Sequence, residues 1–370
     1  MMAPVSDLKA PFPWFGGKRK VAGLVWQRFG DVLNYVEPFA GSLAVLLGRP
    51  TPPRTETVND ADAYLSNFWR AVLHDPEAVA YWADWPVNEV DLHARHLWLV
   101  NQHEFRERMM VDPEHFDAKI AGWWVWGLSA WIGGGWCDVS KVKDVGKQLP
   151  KLTGDSGASG SGVHAKRVLG TRNGRTRPNL RPAQGVQMVS RQIPEINHVR
   201  GVNQNYENGL TAYMIALQER LRRVRVACGD WSRIMGPSVT YKIGLTGIFL
   251  DPPYNTDANR AEGLYAQDDL QISTQVREWC LESIEDGEPG TPGHYSGPRY
   301  QHPKLRIALC GYEDEHGPFM PDDWEMVAWK TNGGYSNQSK NGNDNKHKER
   351  IWFSPHCLKS AEIVRNWWVD

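Results

Sequence analysis

The chain has 370 residues, 41% of them hydrophobic, and 42 lysines and arginines against 43 acids give a net charge of −1. That length and apolar content support a sizeable core and about two domains, while no apolar run approaches membrane-spanning length. Five cysteines, Cys137, Cys228, Cys280, Cys310 and Cys357, are odd in number, widely spaced and without a Cys-x-x-Cys pair, which argues against a zinc or redox site and reads as reduced thiols.

Residues 1–14, MMAPVSDLKAPFPW, carry no basic-then-apolar leader pattern, so a cytoplasmic protein is expected. Residues 11–18 read PFPWFGGK, where a glycine pair lets backbone approach closely and Lys18 sets a cation beside it. A surface lysine is the ordinary alternative. The hydrophobic residues 34–36 then run into Glu37, Pro38, Phe39 and a glycine turn at Gly41, ahead of the apolar residues 43–47. Strand, glycine turn and helix form a nucleotide-site layout. Glu37 is placed to take the ammonium of a bound amino-acid moiety, Gly41 allows close backbone approach, and Phe39 offers a face to a sulfonium cation. A simple loop is the competing reading. Residues 55–60, TETVND, form a second short strand ending in Asn59 and Asp60, an acid suited to a ribose diol, before a helical stretch over 61–73.

Residues 76–110 have helical periodicity, with Pro86 as the interior break. His93, His96 and His103 fall at helical spacing without any accompanying ligand motif, so no metal site is expected. Among the 18 tryptophans, Trp123, Trp124, Trp126 and Trp131 have the spacing of a buried helix face and read as core. From 141 to 205 the charge is uneven: twelve lysines and arginines face only Asp144, Asp155 and Glu195. Such a block suits phosphate neutralisation, with Arg167, Arg172, Arg175 and Arg177 as candidate contacts; arginines beside Asn173 and Gly174 can reach groove edges. Trp136 follows three glycines in a loop that can touch DNA. The linker-like residues 154–162, GDSGASGSG, read either as a segment ordered by DNA or as a solvated loop.

A third strand, 224–228, ends in Gly229, Asp230 and Trp231, a carboxylate and an aromatic ring where an adenine ring can bind. In an open α/β sheet, ligands bind at the carboxyl ends of the strands, so acids far apart in sequence can converge on one ligand. Each acid can equally serve as a helix cap. The strand-like residues 247–250 then end in Asp251, Pro252, Pro253 and Tyr254. An exocyclic amine of adenine or cytosine shares its lone pair with the ring and is a poor nucleophile. The Asp251 carboxylate and the Pro252 carbonyl can each accept one of its N–H groups, which favours tetrahedral nitrogen and stabilises charge developing in the transition state. The two prolines hold that turn rigid, and Tyr254 supplies a face for a base extruded from its stack. The same four residues are also ordinary turn formers.

Together these motifs resemble the Dam-like DNA adenine methyltransferases, which use S-adenosylmethionine. Residues 11–18 resemble the family's N-terminal motif, 36–42 (VEPFAGS) its cofactor loop, and VND with Asp60 its ribose-binding strand end; CGDW and FLDPPY follow in family order. Residues 126–137 resemble, more loosely, its helix-to-loop junction. The resemblance implies cofactor contacts from Trp14, Gly16, Gly17, Lys18, Glu37, Pro38, Phe39, Gly41, Ser42, Asp60, Asp230 and Trp231. It implies catalysis by Asp251, Pro252, Pro253 and Tyr254, and a grip on the target strand by Asn255, Thr256 and Tyr265, for which plain loop positions are the alternative. The resemblance further implies direct, in-line transfer, without a covalent enzyme intermediate, to the N6 amine of an adenine flipped out of double-stranded DNA. A cognate restriction endonuclease is a candidate partner. Leu43 departs from the pattern, standing where the family usually keeps a glycine; with Ser42 and Ala44 small on either side, a slightly altered loop is expected.

The expected fold is α/β: a Rossmann-like methyltransferase sheet with helices on both faces, built from residues 1–74 and 206–370, and interrupted by a mainly helical, loop-rich DNA target recognition domain over 75–205. Residues 270–284 read as a helix, 286–303 as a Pro/Gly-rich loop, 305–309 as a strand, 325–330 and 349–353 as closing strands, and 332–348 as a mobile loop. Two rival functions stay open: methylation of cytosine or an RNA base, and DNA binding without catalysis, against which Asp251, Pro252 and Tyr254 argue.

Overall fold

The computed structural model describes residues 8–12, 14, 18–87, 89–102, 104–112, 114–131, 136–137, 169–170, 177–178, 209–253, 271–329 and 349–359. The chain divides into two units. One comprises Met1–Lys9, Trp14–Asp62 and Arg223–Asp370; the other comprises Ala10–Pro13 and Ala63–Arg222.

The first unit is a mixed α/β layer structure. Its strands are β1 (Asn34–Glu37), β2 (Thr55–Asp60), β5 (Val224–Cys228), β6 (Thr246–Leu250), β9 (Leu305–Tyr312), β10 (Glu325–Ala328) and β11 (Glu349–Phe353). Among the described residues they form one seven-stranded sheet in the order β10-β11-β9-β6-β1-β2-β5. The run from β5 to β9 is parallel, whereas β11 and β10 are antiparallel additions. β1 and β6 are buried along their whole length, as strands covered on both faces must be. On one face Tyr35 packs against Trp26 and Phe29 of α1 (Ala22–Phe29), with ring centroids 4.9 and 6.3 Å apart. On the other, Val36, Ile248, Leu250, Ile307 and Leu309 share a core with Val276 and Cys280 of the helix Ile272–Leu281. Helices therefore cover both faces, giving the Rossmann-like methyltransferase layout that the sequence led us to expect.

Residues 286–303, expected as loop, include strand structure. Ser283–Asp286 (β7) pairs antiparallel with Tyr295–Pro298 (β8), and glycines at positive φ (Gly287, Gly290 and Gly293) turn the chain between them. These strands are short and largely polar, so no apolar alternation marked them in the sequence.

The second unit is helical: α3 (Ala63–His74), α4 (Pro76–Ala83), α5 (Glu89–Val100), α6 (Phe105–Val111), α7 (Ala118–Ala130) and α8 (Gly209–Leu221), following α2 (Ala44–Leu47) of the first unit in chain order. Residues 76–110 thus hold three helices, broken not only at Pro86 but again after Val100. Local chemistry sets these boundaries. Asp75 caps α4 by accepting from Ala78 N at 2.9 Å with Pro76 in the first turn, and Asp117 caps α7 by accepting from Ile120 N at 2.8 Å. Asn67 and Asp117 exchange two hydrogen bonds of 2.9 Å, tying α3 to the start of α7. At Gly122 the helices touch: a Cβ there would lie 2.3 Å from Trp82 Cβ on α4. Leu169–Gly170 (β3) and Arg177–Pro178 (β4) form a separate two-stranded pair. None of the helices among the described residues is long and apolar enough to cross a membrane.

One buried ion pair anchors β2. Arg49 lies 3.3 Å from Glu56, both side chains almost fully buried, and Arg49 also donates to Val32 O at 2.7 Å. Removing one member of such a pair leaves the other buried without compensation. Glu56→Ala is expected to cost about 3 kcal/mol, the low end for a buried pair because Asp31 remains 3.6 Å from Arg49. The check is the urea midpoint; a midpoint equal to that of the unmutated chain would mean the pair contributes nothing.

Candidate active site

The parallel register brings the ends of β5, β2, β1 and β6 to one edge of the sheet. From β1 the chain builds outward through β2 and β5 on one side and through β6 and β9 on the other, so β1 and β6 flank the topological switch point. Glu37 ends β1, and Asp251 directly follows β6.

Asp251 is ion-paired. Its Oδ1 lies 2.8 Å from Nζ of Lys18, which is 4% exposed and sits in a single 3-10 turn, Lys18–Lys20. Burial alone would lower the Lys18 pKa, but the carboxylates of Asp251 and Glu349 outweigh it and hold the ammonium well above its ordinary value. The Trp329 ring adds a cation–π contact at 5.4 Å. Glu349 is the residue that sequence reasoning missed. It opens β11, which runs antiparallel, and so its N-terminal end reaches the edge where the parallel strands finish. Burial pushes its carboxyl up to about 7, Lys18 pulling it down and Asp251 pushing it up, and its Oε2 has no hydrogen-bond partner among the described residues. Pro252 is buried and Pro253 half-buried.

Glu37 is 2% exposed. Burial raises its carboxyl well above the ordinary range although the Tyr35 hydroxyl donates to it at 3.0 Å; the charged neighbours that push it further up are Asp251 and Glu56. After Glu37, Gly41 takes φ +46°, and a Cβ on it would stand 2.5 Å from the Trp14 ring, so the indole lies directly against the turn. Ser42 is buried. Leu43, expected to alter this loop, adopts the left-handed conformation (φ 57°, ψ 27°) with its side chain fully buried.

The end of β2 fastens the loops on either side. Asn59 Nδ2 donates to Pro38 O at 3.1 Å and to Gly229 O at 3.0 Å, and its own carbonyl accepts from Ala40 N at 2.9 Å. Asp60 accepts from Gly41 N at 3.1 Å and from Asp62 N at 3.0 Å; burial lifts its carboxyl to about 7 against the pull of these bonds. Asp230 is exposed and caps the following 3-10 turn through Ser232 N at 2.9 Å and the Ser232 hydroxyl. Trp231, read from sequence as a face for an adenine ring, is only 6% exposed and packs in the core beside Phe39 and Trp279, at 6.1 and 6.4 Å.

The candidate DNA contacts divide. Trp136, read as a ring in a loop open to DNA, is half-buried: its indole N–H donates to Trp124 O at 3.0 Å, and the ring packs on Gly127, His96 and Trp131. Gly127 leaves the space that draws this indole inward. His93 and His96 are likewise buried against Trp131. Arg177 is described only through its backbone, paired with Gly170. Gly16, Gly17, Tyr254, Asn255, Thr256, Tyr265, Arg167, Arg172, Arg175 and His103, with the loops 154–162 and 332–348, lie outside the described residues.

Asn59→Ala strips two carbonyls at the strand ends of their donor. It is expected to cost about 1–3 kcal/mol of stability, measured as a lowered denaturation midpoint. Asn59→Asp should cost more, because a carboxylate would face the Pro38 and Gly229 oxygens. Two variants as stable as the parent would remove Asn59 from this account.

A search of curated proteins finds no match to the chain. The model of the D12 class N6 adenine-specific DNA methyltransferase family matches residues 14–93, a stretch that holds Trp14, Lys18, the Glu37–Ser42 loop and the Asn59–Asp60 strand end. The resemblance drawn from the sequence motifs is thereby supported: residues 14–93 are similar to the D12 class of N6 adenine-specific DNA methyltransferases, which supports an enzyme that methylates adenine in DNA.

Proposed function

We propose that the chain transfers a methyl group from S-adenosylmethionine to the exocyclic N6 amine of an adenine flipped out of double-stranded DNA. The observation that carries this reading is Asp251, fixed at the switch point by buried Lys18 and followed by two prolines.

The residues present fit the cofactor. Glu37 and Asp60 are desolvated carboxyls with raised pKa values, the state of acids that a cation or a pair of hydroxyls would relieve. Glu37 takes the ammonium of the amino-acid moiety, Asp60 the ribose diol, and Trp14 over Gly41 closes the cradle with Phe39, Pro38 and Ser42. Asp230 borders the base end, and Trp231 backs it from the core. Bound, S-adenosylmethionine supplies an electrophilic methyl group on a sulfonium. Asp251 and the Pro252 carbonyl then accept the two N–H groups of the target amine, drawing its lone pair out of the ring. Lys18 sets the orientation of the Asp251 carboxylate through Oδ1, and neither Pro252 nor Pro253 can donate a competing backbone hydrogen bond. Tyr254 stacks on the extruded base, Asn255 and Tyr265 hold the strand, and the basic block with Arg167, Arg172, Arg175 and Arg177 neutralises phosphates as part of the target recognition insert.

Purified protein incubated with labelled S-adenosylmethionine and unmethylated genomic DNA should leave label in N6-methyladenine after digestion to nucleosides; label in cytosine would sink the adenine assignment. Asp251→Ala should lower the rate by about 10²–10³ while leaving DNA affinity within about a few-fold. Turnover by that variant at the parental rate would overturn the mechanism.

The raised Asp60 pKa gives a pH signature. Below about pH 7 the carboxyl is protonated and accepts one hydrogen bond fewer; above it the ionised form accepts both ribose hydroxyls. Cofactor affinity should therefore rise with pH up to about 7, by at most about tenfold per unit, and level off above it. Asp60→Asn should flatten that profile. Glu349 titrates in the same range, so a slope that survives in Asp60→Asn would move the effect to Glu349 and refute the Asp60 assignment.

A further inference from the structure

The helical unit holds a cavity of about 350 Å³ whose walls are the rings of Tyr81, Trp82, Trp85, Trp98 and Trp123. Its size is that of a small-molecule site. Tyr81 and Trp85 are 70% and 46% exposed at its mouth, two large aromatics left facing water in a unit whose neighbouring tryptophans, Trp124 and Trp126, are buried.

Two cations back the cavity. Arg95 is 7% exposed, with its guanidinium carbon 5.2, 4.9 and 4.2 Å from the ring centroids of Trp85, Trp123 and Trp126. Lys119 lies 4.5 and 4.4 Å from the rings of Trp98 and Trp123. Asp91 is the acid in the wall, and its Oδ2 accepts from Trp85 Nε1 at 2.9 Å, which fixes that indole at the mouth. Arg95 Nη1 and Trp123 Nε1 are buried donors with no hydrogen-bond partner among the described residues. Aromatic faces, positive charge and unanswered donors together call for a flat ligand that carries carbonyl acceptors and comes attached to anions.

We infer that this cavity holds a single unstacked nucleobase of the DNA substrate, at a site separate from the catalytic turn, with the base stacked on Trp85 and Tyr81 and its carbonyl oxygens turned toward Arg95 and Trp123. The inference rests on DNA being the substrate. Stacking on exposed rings is tolerant of base identity and strong enough to hold a base out of a helix. Lys119, half-buried against Trp98 and Trp123, is the cation that meets an adjoining phosphate.

The test uses the full chain and two single-stranded probes of equal charge, a thymidine hexanucleotide and an abasic deoxyribose-phosphate hexamer. The parent should bind the base-bearing strand about five- to a hundredfold more tightly. The double variant Tyr81→Ala/Trp85→Ala should lose that preference while keeping its binding to the abasic strand. Equal affinity of the parent for both probes overturns the inference, as does a preference that survives in the variant, which would put the stacked base elsewhere. Should the double variant fold poorly by circular dichroism, Tyr81→Ala alone removes the most exposed ring and must lower the preference by at least about threefold. Methylation of duplex DNA is scored on the same preparation: a parent that discriminates the probes but methylates nothing refutes the proposed function and leaves the cavity assignment standing.

Discussion

A parallel sheet sends the ends of its strands to one edge, and the rest of this molecule depends on that constraint. β1, β2, β5 and β6 are far apart in the chain, yet their register brings Glu37, Asp60, Cys228 and Asp251 to a common boundary. Ends brought together in this way expose backbone groups that no longer pair along the sheet. Asn59 answers three of them, and Asp60 two more. Asp60 therefore both fixes its loop and furnishes a carboxyl group beside it, so at that strand end the shape of the site and its charge cannot be varied independently.

That charge is unbalanced. Glu37, Asp251 and Glu349 approach one another at the switch point, while Lys18 is the cation that counters them most directly. Burial penalises the ionised forms of Glu37 and Glu349, and at Glu349 the Lys18 ammonium offsets only part of the penalty. The carboxyls of Glu37 and Glu349 consequently sit above their ordinary range. A desolvated acidic edge of this kind gains most from a ligand that brings positive charge into it. S-adenosylmethionine carries two such centres, and the proposed assignment of Glu37 to the ammonium follows from that need rather than from the outline of the loop alone.

Much of this was legible in the sequence where a short apolar run ended abruptly in an acid. Residues 55–60 and 224–228 were read as strands and are strands, because β-branched residues bounded by polar ones leave little else to form. The Lys18–Asp251 contact was not legible, since the two lie 233 positions apart in the chain and only the sheet order joins them. Glu349 was invisible for a subtler reason. Its strand was expected, but an acid at the start of a strand reaches this edge only if the strand runs backwards, and direction leaves no mark in composition. Trp136 follows three glycines and so reads as a loop ring, yet the space its indole fills is left by Gly127 on α7, a packing partner that chain order does not reveal. Trp231 ends a strand-to-turn segment, and its ring turns into the core beside Phe39 and Trp279.

Leu43 shows how a left-handed turn can be held without glycine. The left-handed conformation costs an L-residue with a Cβ about 1–2 kcal/mol, which is why glycine is the usual occupant of such a position. Here the leucine side chain is fully buried, and burial of that size contributes about 1.5–3 kcal/mol. The two terms nearly cancel, with burial the larger. The turn can therefore keep its conformation at Leu43 because the side chain that strains the backbone is also the one that fastens it to the core beneath. A glycine would relax the strain and lose the anchor; a polar side chain would keep the strain and gain nothing from the apolar surroundings. The position thus accepts either no side chain or a large apolar one, and this chain takes the second solution.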